Sequence, residues 1–334
     1  MKASLVTNFY LNNKIFNIDD PKANRDDCLY RYYLLRETFR SRGVELATCD
    51  IHPPSDSDFV ICYDVTNEAA YQGSRSALFL VLLESEVIKP QNWSLERHAP
   101  FEKVFTWHDE YVDNKKYFKI NFSQKFPELN EAVPAKEKLC VMIAGNKMVR
   151  HPLELYSARV EAIRWFERNH QFDFDLYGMG WNEYCSSSHY LQTAVRKIPL
   201  LSRLLSSRYP SYVGSIENKR PVMEKYKFAI CYENAINIPG YITEKIFDCF
   251  FAGCVPVYLG ANNIADHIPA GCYIDKARFP TYQRLYKYLT QMQDTEYEAY
   301  QANIFNFLRS ESAQQFSAEY FAKTIVDQVL GESF

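Results

Sequence analysis

No stretch of this 334-residue chain comes near the roughly 18 uninterrupted apolar residues that a membrane-spanning helix needs. Its first residues, MKASLVTNFYLNNKIFN, lack the charged segment and long apolar run of a secretory leader, so a cytosolic protein is expected. The nine cysteines are scattered singly, with no C-x-x-C pair. That pattern offers no disulfide framework and fits reduced thiols acting as small apolar side chains. The seven histidines show no H-x-x-x-H spacing, which disfavours a structural zinc site. A formal net charge of −3 leaves no bulk attraction for nucleic acid. Gly178-Met179-Gly180 follows a strand-like run, but Glu183 stands where G-x-G-x-x-G needs its third glycine, so a dinucleotide oxidoreductase is disfavoured. There is no internal repeat and no low-complexity tract.

What remains is ordinary globular composition, 47% hydrophobic and 24% charged, over a length that suits two domains. Strand-like apolar runs are expected at 5–10, 59–63, 76–83, 104–107 and 117–120, with a helix over 29–40. Strands alternating with helices argue for a parallel α/β domain. The polar, proline-containing segment 127–138 is the predicted linker. A second α/β series then begins with a strand at 139–143, a helix over 154–169 and a strand at 172–177. Helical spacing is expected over 284–308 and 313–330. The predicted units are therefore 1–134, 135–312 and a closing helix at 313–334 that crosses back to the first domain.

The most informative stretch is 226–260, YKFAICYENAINIPGYITEKIFDCFFAGCVPVYLG. It reads as a strand at 228–232, a loop broken by Pro239 and Gly240, a helix over 241–252 stopped by Gly253, and a strand at 255–259. Lys245 falls near the helix start, where the dipole disfavours a cation unless an anion is held there too. Glu244 beside it either accepts from a sugar hydroxyl or simply complements the dipole while Lys245 stays in solvent.

Other positions carry chemistry under one reading and none under another. Glu84 ends a buried-looking strand, where open α/β sheets place ligands, and is either a general base or a solvated loop carboxylate. Glu86 competes with it. Arg159, on the helix after the first strand of the second series, reads on its own as a surface helix arginine. His108 and Trp93 are weaker contact candidates. From Ser186 to Ile230 there are eight Lys/Arg against two Glu, enough to steer an anionic ligand. Within that span, 196–208 (RKIPLLSRLLSSR) suits either an anionic membrane or plain packing with a solvated face. Asp56-Ser57-Asp58 and Asp173-Phe174-Asp175 match the D-x-D metal motif only superficially.

The wording of 226–257 resembles the donor signature of the glycosyltransferase family 10 fucosyltransferases. The resemblance rests on Tyr226-Lys227-Phe228, Tyr232-Glu233-Asn234, Tyr241-Ile242-Thr243-Glu244-Lys245 and Gly253-Cys254-Val255-Pro256-Val257. Two departures stand out: Tyr232 replaces a phenylalanine, and the loop from Asn234 to Tyr241 is a residue longer than the family pattern. The resemblance implies a GT-B fold of two Rossmann-like domains facing a cleft, and an inverting transfer of L-fucose from GDP-L-fucose. The acceptor implied is a hydroxyl of a saccharide or lipid-linked glycan, a GlcNAc-containing one joined through an α-1,3 linkage. It also implies Glu84 as base and Arg159, Asn234, Tyr241, Glu244 and Lys245 around the donor, with Arg159 and Lys245 on the diphosphate. No metal or other cofactor is required on this reading, a divalent ion being at most stimulatory. A bacterial-type cytosolic enzyme with peripheral membrane contact, acting in lipopolysaccharide or capsule assembly, is the implied setting. Another GDP-sugar as donor, or a non-catalytic saccharide-binding role, are the alternatives.

Overall fold

In the computed structural model the described residues are 1–66, 71, 76–129 and 135–331, without the side chains of His189, Arg196, Pro199 and Arg203. The predicted linker lies partly outside them; at its end the Lys136 ammonium donates to the carbonyls of Glu224 and Ala252.

The elements run in chain order as β1 (Lys2–Val6), α1 (Tyr30–Ser41), β2 (Glu45–Thr48), β3 (Phe59–Tyr63), β4 (Ala77–Leu82), β5 (Lys103–Thr106) and β6 (Tyr117–Lys119). There follow β7 (Lys138–Ile143), α2 (Tyr156–Asn169), β8 (Phe174–Tyr177), α3 (His189–Arg196), α4 (Pro199–Leu205), β9 (Tyr212–Gly214), α5 (Arg220–Met223) and β10 (Tyr226–Tyr232). The chain ends with α6 (Glu244–Phe251), β11 (Val255–Leu259), β12 (Ile274–Asp275), α7 (Tyr282–Gln291), α8 (Asp294–Leu308), α9 (Glu311–Gln314) and α10 (Ala318–Leu330).

The chain forms two compact units. One comprises Met1–Pro127, Pro239–Glu244 and Arg309–Phe334; the other comprises Glu128–Ile238 and Lys245–Leu308. The first holds a parallel sheet in the order β2-β1-β3-β4-β5-β6. Its central strands β3 and β4 are continuous apolar runs because both faces are covered. Ile61, Phe79, Val81 and Phe105 point to a core shared with Leu35 and Phe39 of α1 and Phe321, Ile325 and Val326 of α10. The intervening residues Val60, Cys62, Leu80, Leu82 and Val104 face the opposite core, with Tyr71 and Phe101. Each such large side chain contributes about 1.5–3 kcal/mol over leaving it exposed. Helix α10 starts at Ser317, whose hydroxyl accepts from the Tyr320 N–H, and stops at Gly331 with φ 73°.

The second unit's sheet is also parallel, in the order β12-β11-β10-β7-β8-β9. Counted from β7, this is the 3-2-1-4-5-6 order of dinucleotide-binding folds, with the order reversing between β7 and β10. Each unit is thus a Rossmann-like layer of the GT-B type. Gly178, at the end of β8, has φ 129°, and a Cβ there would sit 2.0 Å from the Ala144 carbonyl oxygen. Only glycine lets these two strand ends approach so closely.

Several expected boundaries shift for local reasons. The strand expected at 5–10 ends at Val6, because Tyr10, Asn12 and Asn13 take left-handed conformations. The strand expected from 172 begins at Phe174, after a 3₁₀ turn that leaves Phe172 fully exposed. The helix expected at 241–252 begins only at Glu244. The spans 284–308 and 313–330 are each two helices, the second divided by the Ser317 cap. β2 is too short for its pattern to have signalled a strand.

Candidate functional site

In an open α/β sheet, ligands bind beyond the carboxyl ends of the strands where the order reverses. In the second unit that place is the end of β7 and β10. The chain leaving β10 is fastened by Arg159 of α2, whose Nη2 donates to the carbonyls of Tyr232 (2.7 Å) and Glu233 (2.8 Å) and to Oδ1 of Asn234 (2.9 Å). The guanidinium lies 4.9 Å from the Tyr156 ring centroid and the residue is 4% exposed. Arg159 is therefore a buried clasp on the loop rather than a surface arginine. The same loop is stitched to the start of α2 by Leu155 N–H to the Asn234 carbonyl and Ile236 N–H to the Leu153 carbonyl. Arg159 and Asn234 are brought together.

Lys245 is the second residue of α6, at the dipole's positive end. Its Nζ lies 3.3 Å from Oε2 of Glu233, whose side chain is wholly buried. Glu233 also presses against Gly260, where an added Cβ would meet the glutamate Cγ at 2.5 Å. A buried carboxylate thus offsets the cation at the helix start, a partner the sequence reading left out. Glu233 has the look of a polar loop residue; only its place between Tyr232 and Asn234 in the signature hinted at more. Two cations, Arg159 and Lys245, converge on Glu233, the first through its carbonyl and the second through its carboxylate, at a strand end beside a helix N-terminus. Of the basic residues expected to steer an anion, Lys219 pairs with Asp248 at 2.7 Å and Lys227 lies 3.7 Å from Asp294. The acids of the second D-x-D match are also engaged: Asp173 accepts from Tyr286, and Asp175 from Lys138 and Tyr226. Among the described residues no cluster of three metal-ligating side chains occurs.

Tyr241 and Glu244 belong to the first unit. The Tyr241 ring is 1% exposed and packs 4.8 Å from Trp107 and 5.8 Å, edge-on, from Phe122. Gly240 before it has φ 78°, and a Cβ there would lie 2.3 Å from the Trp107 carbonyl oxygen. The ring of Tyr241 is therefore a core anchor of the first unit. Glu244, half-buried, opens that helix.

Glu84 stands in the same unit, two residues past β4, with an exposed side chain and a tightly held backbone. Its N–H donates to Asp64 Oδ1 (3.2 Å), and its carbonyl accepts from Asn92 Nδ2 (3.1 Å) and Trp93 Nε1 (3.2 Å). Asp64 Oδ1 further accepts from Leu83 N–H at 2.8 Å and Asn92 Nδ2 at 2.7 Å. Asp64 and Asn92 are positioning residues without a sequence signal, because each looks like an ordinary turn residue. Trp93 stacks on Tyr111 with ring centroids 5.7 Å apart, and Tyr111 on His108 at 4.6 Å. Burial, reinforced by Lys119, holds the His108 imidazole below its usual pKa against the opposing pull of Glu110, Asp109 and Glu86. The Tyr111 hydroxyl is pushed up by burial and then by Glu86 and Glu110. Burial raises the Tyr32 hydroxyl to about 12, with Asp64 and Glu84 adding to the shift. Glu84 thus adds to the Tyr32 shift, and Glu86 adds to that of Tyr111 while opposing that of His108.

The family model described as glycosyltransferase family 10 (fucosyltransferase), C-terminal, matches residues 133–322. An α-(1,4)-fucosyltransferase of Arabidopsis thaliana is 36% identical over 83 residues, 23% of this chain and 20% of that protein. The mouse 4-galactosyl-N-acetylglucosaminide 3-α-L-fucosyltransferase 9 is 28% identical over 162 residues, 48% of this chain and 34% of its own length. The chain thus spans about a fifth to a third of these curated relatives. Among solved structures, an α1,3-fucosyltransferase with GDP-fucose superposes with TM-score 0.52 at 14% identity, covering 98% of this chain and 90% of that one. Anabaena Alr3699/HepE with UDP-glucose gives TM-score 0.55 at 12% identity, covering 100% of each chain. The two likenesses show a shared fold and nothing finer. No described helix is long and apolar enough to cross a membrane. With more than half its length matched by the family model, and that match spanning the Arg159–Glu233–Lys245 assembly, the chain belongs to glycosyltransferase family 10, the fucosyltransferase family.

Proposed function

We propose that this chain transfers L-fucose from GDP-L-fucose to a saccharide hydroxyl, with inversion at the anomeric carbon and formation of an α-1,3 linkage. The observation that carries the reading is the Lys245–Glu233 pair, joined through the Glu233 carbonyl to Arg159 at the sheet's switch point. An arginine and a lysine meeting at a strand end beside a helix N-terminus suit a nucleoside diphosphate. In the displacement, an acceptor oxygen bonds to C1 of fucose as the C1–O bond to the β-phosphate breaks. The bonding pair leaves with GDP, and Glu84 takes the hydroxyl proton. Lys245 and Arg159 stabilise the charge growing on the diphosphate. Because two cations serve that role, a divalent metal is at most stimulatory in this scheme. Glu244 and Asn234 bind the rest of the donor, while the Trp93–Tyr111–His108 stack offers aromatic faces to the acceptor sugar. The acceptor is a GlcNAc-containing glycan, free or lipid-linked, met in the cytosol or at a membrane surface.

Turnover against a panel of GDP- and UDP-sugars tests the reading. GDP release from GDP-fucose alone, rising with a glycan acceptor, supports it. Equal turnover of other GDP-sugars contradicts the donor assignment, and binding of glycans without turnover of any donor contradicts transfer.

A further inference from the structure

The second unit carries a surface that the proposed reaction does not use. Helices α3 and α4, joined by Lys197 and Ile198, form a helical hairpin whose roots are firmly held. Ser188 caps α3, the Ser202 hydroxyl accepts from the Tyr184 N–H at 3.4 Å, and Val195 is buried. Beyond the hairpin, Arg164 of α2 donates to the Arg208 carbonyl at 2.6 Å and lies 3.8 Å over the Tyr209 ring. The outward side is strongly apolar: Tyr190 is 88% exposed, Leu200 80%, Leu204 78% and Ile198 53%, with Leu191 and Leu205 at 49%. Scattered exposed apolar residues need no explanation, but six in one hairpin do.

The segment's own charge is one-sided, although Glu183 and Glu217 bound it and Glu167 of α2 accepts from Ser211. Residues 184–216 contain Arg196, Lys197, Arg203 and Arg208 and no Asp or Glu, in a chain whose formal net charge is −3. Lys197 and Arg208 are exposed. At 8 and 7 residues, neither helix approaches the roughly 20 needed to span a bilayer. Short helices presenting leucines and a tyrosine together with cations suit the interface plane, apolar side chains among acyl chains and cations at anionic headgroups.

We propose that the α3–α4 hairpin docks this protein onto an anionic lipid surface. The charge complementarity selects lipid over an uncharged protein partner, and the inference stands whether or not the chain transfers fucose. Where the acceptor is lipid-linked, the hairpin holds the enzyme at the surface that carries it.

The test is co-sedimentation of the full chain with vesicles of phosphatidylcholine, alone or with about a third phosphatidylglycerol. Binding to the anionic vesicles only, weakened by salt, is expected. The exposed pair L200S/L204S should lower the bound fraction at least fivefold with the melting temperature unchanged. K197Q/R208Q should weaken vesicle affinity roughly fivefold per charge. Absence of wild-type binding at millimolar anionic lipid overturns the proposal, as does binding that neither double variant alters. A dimer in sedimentation velocity that L200S/L204S dissolves, without vesicle binding, would assign the face to a second copy of the chain instead.

Discussion

Lys245 and Glu233 form an ion pair, Nζ to Oε2 3.3 Å, in which the glutamate side chain is wholly buried and the lysine side chain is 23% exposed. The pair explains how α6 can begin with a lysine at its positive dipole end. Removing one partner leaves the other uncompensated, whereas removing both need not. E233Q should therefore lose about 3 kcal/mol of stability, and E233Q/K245M distinctly less than the sum of the single changes. Urea unfolding of the four proteins measures this coupling; strict additivity would mean the pair is incidental.

Arg159 spends one Nη2 on three acceptors at the end of β10. Lysine lacks the planar fork and would leave buried carbonyls without a donor. R159K should lower the urea midpoint by an amount worth about 2–3 kcal/mol, with an unchanged m-value, and weaken GDP binding. A surface arginine, replaced in the same way, would show neither change.

Glu84 and Glu86 lie two residues apart beyond β4, the first exposed and the second half-buried. E84Q should reduce turnover with acceptor by about 10²–10⁴ while leaving GDP affinity intact, and E86Q by less than about tenfold. The reverse ranking would make Glu86 the base. Steady-state GDP release in the presence of a glycan acceptor decides between them.

Two histidines of the first unit have folded-state pKa values below the ordinary 6.5, each chiefly because burial disfavours the charged ring. His98 is fully buried, with Nε2 2.8 Å from the Asn92 carbonyl and Nδ1 3.1 Å from the Tyr117 hydroxyl. Since the unfolded chain binds these protons more readily, stability is fully present above about pH 6.5 and is lost as pH falls through the depressed folded values. Melting temperature should therefore drop between pH 7 and pH 5. H98Q, less stable at neutral pH, should show a shallower drop.

The fold was legible where apolar runs were continuous. β3 and β11 match their predicted residues because both are short, uniformly apolar and buried. Helix starts were less legible. Tyr241 to Thr243 keep helical spacing, yet they lie outside α6, with the Tyr241 ring packed on Trp107 and Phe122. Lys245 at a helix start and Glu84 beyond a strand were readable from position and charge. Glu233, Asp64 and Asn92 were not, because their importance lies in long-range partners: a lysine twelve residues on, and a strand end twenty residues away. Pairing across a sheet leaves no periodic trace in sequence.

The most direct measurement is a calorimetric titration of GDP and of UDP into the purified protein and into K245M. The account predicts saturable GDP binding, preferred over UDP, that falls at least tenfold in K245M while the variant remains folded. Absence of nucleotide binding by the wild-type chain, or GDP affinity indifferent to Lys245, would contradict the claim that the end of β10 and the start of α6 hold the donor diphosphate.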